Sequence, residues 1–357
     1  MKVVDLNKWY FGIYRGGKQL AIRRHVVKLA HSNLKQQHHL TKEERKRAID
    51  FWAPYCKINP VFFEFYKEKT GEFHPEYLPK DVYLNRVDEY FNDRNAQNIL
   101  DNKCLYTRLF PGVRQPDTPI FRMNGFWYDE QLNPLTEKQA TARIADEPAL
   151  FVKAASQSCG GKGVQFLNSE KGAMPDLFTQ ALQQVSGDIV VQRHIRQHET
   201  FAALHPSSVN TLRILSLLTK EGVKIYSAIV RMGVGNAKVD NATAGGIFCG
   251  VREDGSLTPT AYRLNGERFH VHPTTGVVFD GYRITGFDKA QALVLQAAPL
   301  LPKFRMVSWD IVIDEQGEPL MLETNLAKGS VHFHQLTNGP LFGDDTQAIM
   351  NEVFGKV

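Results

Sequence analysis

Two hydrophobic periodicities divide this chain. Over residues 1–95 apolar positions recur every three to four residues, the spacing of helices that bury one face. TKEERKRAIDFWAPY opens on Thr41 with Glu44 three residues later, a capping box, and Pro54 and Pro60 punctuate the residues after it. DVYLNRVDEYF spaces Val82, Tyr83, Val87, Tyr90 and Phe91 as a helix would, which predicts that they join a core. From about residue 96 the texture changes. NAQNILDNKCLYTRLF reads as a helix ending in a loop, and PGVRQPDTPIF as a proline-rich connector into a short strand. Phe126–Tyr128 and a polar helix, TEKQATARIAD, come next. From Ala149 onward strands dominate: ALFVKAA, GVQFL, DIVVQRHI, TLRILSLLT, VKIYSAIVRM, GGIFCGV, VSWDIVID and PLMLETN, with helical stretches near 174–186 and 288–301. This is an α+β pattern of antiparallel hairpins. It lacks regular βαβ alternation and GxGxxG, which argues against a Rossmann core.

The 357 residues suffice for two or three packed lobes, and 43% hydrophobic with 23% charged residues is ordinary for a soluble protein. There is no apolar run long enough to cross a bilayer and no secretory signal core at the N-terminus, so the expectation is a cytoplasmic protein. Cys56, Cys104, Cys159 and Cys249 are widely spaced and form no CxxC pair, which argues against both a disulfide framework and a cysteine zinc site. The net charge of +5 is uneven. Residues 1–50 hold twelve Lys/Arg against four Asp/Glu, a net +8 that leaves −3 for the remainder. Such a segment suits phosphates, an anionic membrane face or a charged glycan intermediate, or is simply a solvated helix face. Trp9, Tyr10, Phe11 and Tyr14 are interleaved with the charges, but no nucleic-acid motif accompanies them.

The stretch FVKAASQSCGGKGVQF carries the first chemistry. Lys153 ends a buried strand, SQSCGGKG comes next, and GVQFL resumes a strand. A turn this rich in glycine can lay backbone N–H groups around phosphate oxygens, because no Cβ obstructs the approach. A lysine at the strand end reaches an inner phosphate as a point charge. The expectation is a flap over a triphosphate, distinct from a Walker loop, since GxxxxGK[ST] does not occur.

VSWDIVIDEQGEPLMLETNLAKGS carries the second. A two-residue Gln316-Gly317 loop sets Glu315 opposite Glu318, Asp310 opposite Glu323 and Ser308 opposite Asn325. Alternation then turns Asp310, Glu323 and Asn325 to one side and Trp309, Ile311 and Ile313 to the core. Facing carboxylates repel unless a cation lies between them, and an all-oxygen set suits Mg²⁺. Arg213 and Arg231 lie at the end of another hairpin, away from its Lys220-Glu221-Gly222 turn, where guanidiniums can stabilise a transferring phosphoryl group or serve as ion-pair partners. His194, His198, Glu199 and His205 form an HxxxHE-like run, but IVVQRHI reads as a strand and denies the histidines the shared helix face of a zinc site. His270 with His272, and His332 with His334, read as surface or satisfied histidines.

Taken in order, ILDNKCLYTRLF, LFVKAASQSCGGKGV, IVVQRHIRQHE, SVNTLRI and WDIVIDEQGEPLMLETN resemble the ATP-grasp superfamily, in its sugar-transfer-associated branch near the teichuronic-acid-type ligases. The resemblance covers roughly residues 96–357. It implies two α+β lobes gripping ATP, a small one over 96–190 and a large one over 191–357, after a helical region over 1–95. By that resemblance Lys103 and Lys153 hold phosphates, with Ser156, Gly160, Gly161 and Gly163 in the flap. Gln192, Arg193, His194 and Ile195 match the adenine hinge, with Gln192 where the family commonly has Glu. Glu199 matches the ribose acid and Arg213 the arginine near the reacting phosphate, with Lys153 assisting; Arg231 stands beside them as a candidate from its place on the hairpin. Asp310, Glu323 and Asn325 match the ligands of Mg²⁺, or alternatively Mn²⁺. Lys328, Ser330, His332 and His334 come after them on the acceptor side.

The implied reaction is ATP-dependent carboxylate–amine ligation through an acyl phosphate, joining an amino acid or similar carboxylate to an amine. The amine would be an amino sugar or sugar nucleotide of surface polysaccharide synthesis, and the basic N-terminal region could dock peripherally on a membrane. Two alternatives remain open at this point. One is a kinase phosphorylating a hydroxyl with Asp240 as base. The other is a nucleotide-binding regulator without turnover, against which the set of Lys103, Lys153, Asp310, Glu323 and Asn325 argues.

Overall fold

The computed structural model describes residues 6–34, 40–156, 163–327 and 329–356. Two compact units form. One comprises residues 1–91, 265–268 and 330–357, the other 92–264 and 269–329. The last helices therefore group with the N-terminal region, whereas the sequence predicts a large lobe running to residue 357.

The first unit is helical. A helix over Leu6–Ser32 is followed by helices over Lys42–Trp52 and Val61–Thr70 and, late in the chain, over Val331–Asn338 and Thr346–Val353. The capping box is present: the Glu44 amide donates to Thr41 Oγ1 at 3.1 Å, and the Thr41 amide to Glu44 Oε2 at 2.8 Å. Gln335 ties the late helix to the early ones. Its Oε1 accepts from the Leu78 amide at 2.8 Å, and its Nε2 donates to Tyr66 Oη at 2.8 Å and Leu78 O at 3.0 Å. Of the aromatics expected at helical spacing, Tyr83 and Phe91 are buried but Tyr90 is 48% exposed. The cause is a π-helical turn over Tyr83–Val87. Its wider turn shifts the register, so the residue three positions beyond Val87 no longer shares the core face.

The second unit is α+β and holds two antiparallel sheets. The first has the order β3-β2-β1-β6-β4-β5. Its strands are β1 (Ile120–Met123), β2 (Phe126–Tyr128), β3 (Pro134–Leu135), β4 (Ala149–Ala154), β5 (Gln165–Asn168) and β6 (Ile189–Arg193). Helices over Glu137–Ile144 and Met174–Leu182 cover one face through a core that includes Ile144, Leu150, Val152, Phe178 and Val191. Leu150 and Val152 point into that core, so Phe151 and Lys153 point to the other face.

The second sheet has the order β11-β10-β9-β8-β7-β12-β13. Its strands are β7 (Thr211–Thr219), β8 (Gly222–Met232), β9 (Ile247–Val251), β10 (Leu257–Arg263), β11 (Arg268–Phe269), β12 (Met306–Ile313) and β13 (Pro319–Asn325). Trp309, Ile311 and Ile313 pack with the helix over Phe287–Ala297 in one core.

The β12–β13 turn differs from expectation, and the difference cancels. Ile313 pairs with Pro319 and Ile311 with Met321, so three residues, Glu315 to Gly317, form the loop. Asp314 shapes it: its Oδ1 accepts from the Gln316 amide at 3.0 Å and the Glu318 amide at 2.9 Å. Gly317 takes φ +79°, the left-handed residue that closes such a loop. A bulge between Asp310 and Ile311 then restores the register, leaving Asp310 opposite Glu323 and Ser308 opposite Asn325.

Candidate active site

Three adjacent strands carry charge toward one face of the second sheet. Arg213 on β7 lies directly opposite Asp310 on β12 and meets it bidentately, Nε to Oδ1 and Nη2 to Oδ2, both at 2.7 Å. Arg231 on β8 adds Nη1 to Asp310 Oδ2 at 3.0 Å. All three side chains are buried. Burial pushes the Asp310 carboxyl up, but the two guanidiniums outweigh it and hold the group at about 2. Burial likewise works against the charged form of Arg213, and Asp310 more than restores it.

Arg231 is held from its other side by Asp240, Nη2 to Oδ1 at 3.3 Å. The second oxygen of Asp240 accepts from the Thr211 amide at 3.2 Å and from the Thr211 hydroxyl. Asp240 sits on the loop between β8 and β9, whose return depends on Gly246. A Cβ built there would lie 2.7 Å from Asp240 O, 2.8 Å from Met232 O and 2.9 Å from Asn241 O. Backbone atoms cannot yield as a flexible side chain does. Gly246→Ala is therefore expected to displace this loop and loosen Arg231, lowering turnover at least about tenfold with a measurable fall in melting temperature; steady-state kinetics and thermal melts check it.

On β13, Glu323 accepts from the Lys103 amine at 3.2 Å. Lys103 is itself fixed to the first sheet, its amide donating to Ala155 O just beyond β4 at 2.8 Å. Burial favours the neutral form of this amine, but Glu323, with Tyr106 and Asp101 nearby, keeps it protonated and its pKa raised. Asp101 lies within ILDNKCLYTRLF, where its residue type and spacing carry no signal of their own. Burial raises its carboxyl to about 6, with Lys103 and Glu323 acting in opposite directions. Asn325 donates its Nδ2 to Ser308 O at 3.3 Å and to Asp310 Oδ2 at 3.4 Å, which turns its Oδ1 away from both.

Lys153 stands apart from these pairs. It is half-buried at the end of β4, and among the described residues it has no hydrogen-bond or ion-pair partner. Burial, and then the positive charge of Lys103, lower its amine to about 8; Glu323 offsets only part of this. The β4–β5 hairpin expected beyond it is present, with Val152 opposite Gln165. Ser156 is half-buried at its base, and Gly163 has φ +74° with open space where a Cβ would sit. Gly160, Gly161 and Lys328 lie outside the described residues.

The expected hinge lies at and beyond the end of β6. Gln192 is buried, and its Nε2 donates to Thr118 Oγ1 at 3.2 Å. Arg193 is exposed and bound to Glu147 at 2.7 Å. His194 stacks on Phe151, centroids 5.8 Å apart, with Phe166 at 5.6 Å, so this end of the sheet presents flat apolar surface beside the half-buried Ile195. Glu199 is exposed in the first turn of the helix over Glu199–Leu204. His205 and His272 are buried and structural. His205 contacts Ser208 Oγ at 2.8 Å and Gly235 O at 3.0 Å, and His272 donates to Gly233 O at 2.9 Å.

Residues 85–351 match the family described as sugar-transfer associated ATP-grasp. The chain belongs to that family. The cofactor of an ATP-grasp protein is ATP with Mg²⁺. No curated protein sequence matches the chain. Among solved structures, similarity is found to the D-alanine-D-alanine ligase of Coxiella burnetii, at 11% identity over 74% of this chain and 61% of that one, with TM-score 0.43. The biotin carboxylase of Campylobacter jejuni gives 11% identity over 74% and 48%, with TM-score 0.47. The VanG D-Ala:D-Ser ligase of Enterococcus faecalis gives 13% over 74% and 63%, with TM-score 0.43. The chain thus spans less than two thirds of the length of each of these three.

Does this ATP-grasp site suit its cofactor? The donor chemistry fits a polyphosphate, because Lys153 is a cation without an ion-pair partner among the described residues. It fits Mg²⁺ in a specific way. Among the described residues no group of three or more His, Cys, Asp or Glu could hold an ion unaided. Mg²⁺ needs no such cage, since it is usually held by one or two carboxylates together with substrate phosphates. Glu323 and the Asn325 carbonyl are such donors, and Asp310 is a third oxygen donor that already accepts from Arg213 and Arg231.

Proposed function

We propose that this ATP-grasp enzyme joins the carboxylate of an amino acid or similar acid to an amino sugar or related amine, through an acyl phosphate, in surface polysaccharide synthesis. The observation that carries the reading is the Lys153 amine, which has no ion-pair partner among the described residues, whereas Lys103, Arg213 and Arg231 are each held by a carboxylate. Lys153 and Lys103 would bind the phosphates, with Ser156 and Gly163 at the described ends of the β4–β5 connection beside them. Gln192 through Ile195 receive the adenine at the His194–Phe151 surface, and Glu199 the ribose.

Glu323 and Asn325 would hold Mg²⁺, with Asp310 beside them as a third oxygen donor that keeps its guanidinium bonds. Bound ATP with its metal supplies the activated phosphoryl group. Arg213 and Arg231 are locked in place by Asp310 and Asp240, so they meet charge developing on that group without reorganising.

Against the kinase alternative, both oxygens of Asp240 already accept hydrogen bonds, from Arg231, the Thr211 hydroxyl and the Thr211 amide. The acceptor class rests on the family's description. Amino acids crossed with amino sugars, sugar nucleotides and simple amines test it by ADP release and product mass. ADP formation that requires both an acid and an amine, with an amide as product, is expected. A phosphorylated alcohol as the stable product, without any amine requirement, contradicts it.

A further inference from the structure

β13 is the last strand of its sheet, so one of its edges meets no other strand. An open edge leaves backbone amides unpaired. Residues 103–114 close this one. The Met321 amide donates to Arg114 O at 2.9 Å. The Thr324 amide donates to Tyr106 Oη at 3.2 Å, and the same phenol oxygen lies 3.0 Å from Thr324 Oγ1, where one hydroxyl proton bridges the pair. Both side chains are buried, Tyr106 at 4% and Thr324 at 1% exposure.

Thr324 stands between Glu323 and Asn325. Alternation turns its side chain to the core, opposite Trp309, and theirs to the other face. Whatever fixes Thr324 therefore fixes the backbone from which both oxygen donors project. Tyr106 is well placed to do so, because it is itself held. Its ring meets Phe110 edge-on with centroids 5.4 Å apart, and Phe110 meets Trp309 in the same manner at 6.0 Å. Lys103 precedes Tyr106 by one turn, in consecutive helical turns over Lys103–Leu105 and Tyr106–Leu109. One short run thus grips two successive residues of β13, Glu323 through an amine and Thr324 through a phenol. Asn102 ties the start of that run to the first sheet, its Nδ2 donating to Asp188 Oδ2 beside β6 at 2.9 Å.

We propose that Tyr106 is a positioning residue for the metal site: through Thr324 it sets where Glu323 and Asn325 present their oxygens, and so how tightly Mg²⁺ is held with the nucleotide. The inference rests on Glu323 and Asn325 being the metal donors of the proposed function. A ring that only filled the core would need no oxygen, and a buried hydroxyl is unfavourable unless it is hydrogen-bonded. Here the phenol oxygen is used twice, on both polar groups that Thr324 offers to that side.

Tyr106→Phe tests this, because it keeps the ring and removes only the oxygen. Calorimetric titration of the full-length protein with ATP, once with Mg²⁺ and once in EDTA, separates binding of the metal complex from binding of the bare nucleotide. Groups that orient metal ligands govern metal affinity by roughly 10–100-fold, and Tyr106 acts through an intervening residue, so the low end applies. Tyr106→Phe should weaken binding with Mg²⁺ about tenfold and leave binding in EDTA within about twofold. Hydrogen exchange at the Thr324 amide should quicken. Thr324→Val keeps its amide bond to Tyr106 and should lose less. The double variant should bind no more than about twofold more weakly than Tyr106→Phe alone, since the two changes remove one shared contact. Glu323→Gln is the control for the metal donors. If it leaves binding with Mg²⁺ unchanged, the metal assignment fails and this inference with it. If it weakens that binding while Tyr106→Phe does not, the metal assignment stands and the inference is overturned. Equal losses with Mg²⁺ and in EDTA for Tyr106→Phe overturn it too, because a merely structural defect would act on both.

Discussion

Asp310→Ala is expected to lose turnover and a large part of its stability together. The carboxylate stands between two buried guanidiniums, and removing it leaves both Arg213 and Arg231 without their shared counter-charge. Breaking a buried ion pair from one side costs about 3–5 kcal/mol, because the remaining charge stays desolvated. For a unit of this size that corresponds to a fall in melting temperature on the order of 10 °C. Asp240 retains its hold on Arg231, so the loss falls mainly on Arg213. Asp310→Asn should recover part of the stability through its remaining hydrogen bonds and little of the turnover. Thermal melts beside an ADP-release assay check both halves. An Asp310→Ala protein that melts like the wild type would show that the guanidiniums find water instead.

Lys153→Met is expected to do the opposite to stability. Among the described residues the amine has no ion-pair partner to lose, and burial beside Lys103 already disfavours its charge. Methionine keeps the aliphatic reach and removes the repulsion, so the melting temperature should be unchanged or raised. ATP affinity should fall about 10- to 100-fold, the range of a lost charge-assisted hydrogen bond, and turnover at least as far. The sign of the pH dependence follows from the depressed pKa. Between about 8 and the ordinary 10.5 the unfolded chain binds the proton more readily, so this group adds stability as pH rises through that window. ATP binding runs the other way: it requires the charged amine, so affinity should weaken above about pH 8. Equal stability loss in the Asp310 and Lys153 variants would mean that both are structural.

The features legible in the sequence are those decided by local chemistry. Thr41 with Glu44 is a capping box in any context, and the apolar alternation around Trp309 can bury only one way. The hidden features are decided at a distance. Tyr90 turns outward because of a π-helical turn that helical spacing alone does not reveal. The β12–β13 turn holds one residue more than its Gln-Gly pair suggests, because Asp314 caps two amides, and only a bulge at Asp310 returns Glu323 to its place. Arg213 and Arg231 are legible as a pair of cations. That both converge on Asp310, and that Asp240 closes the row, depends on strands brought together from positions up to 97 residues apart. The partnership of the final helices with the N-terminal unit is of the same kind, carried by Gln335 reaching Tyr66 and Leu78.

The central claim is that Lys153 waits as a cation without an ion-pair partner among the described residues, and that the nucleotide supplies one. Lysine-selective isotope labelling, with the signal assigned through Lys153→Met, allows its amine to be titrated by NMR. In the free protein it should titrate near about 8, and saturation with ATP and Mg²⁺ should raise it well above that value. An amine that titrates at the ordinary lysine value in the free protein, or that does not move when ATP binds, contradicts the account.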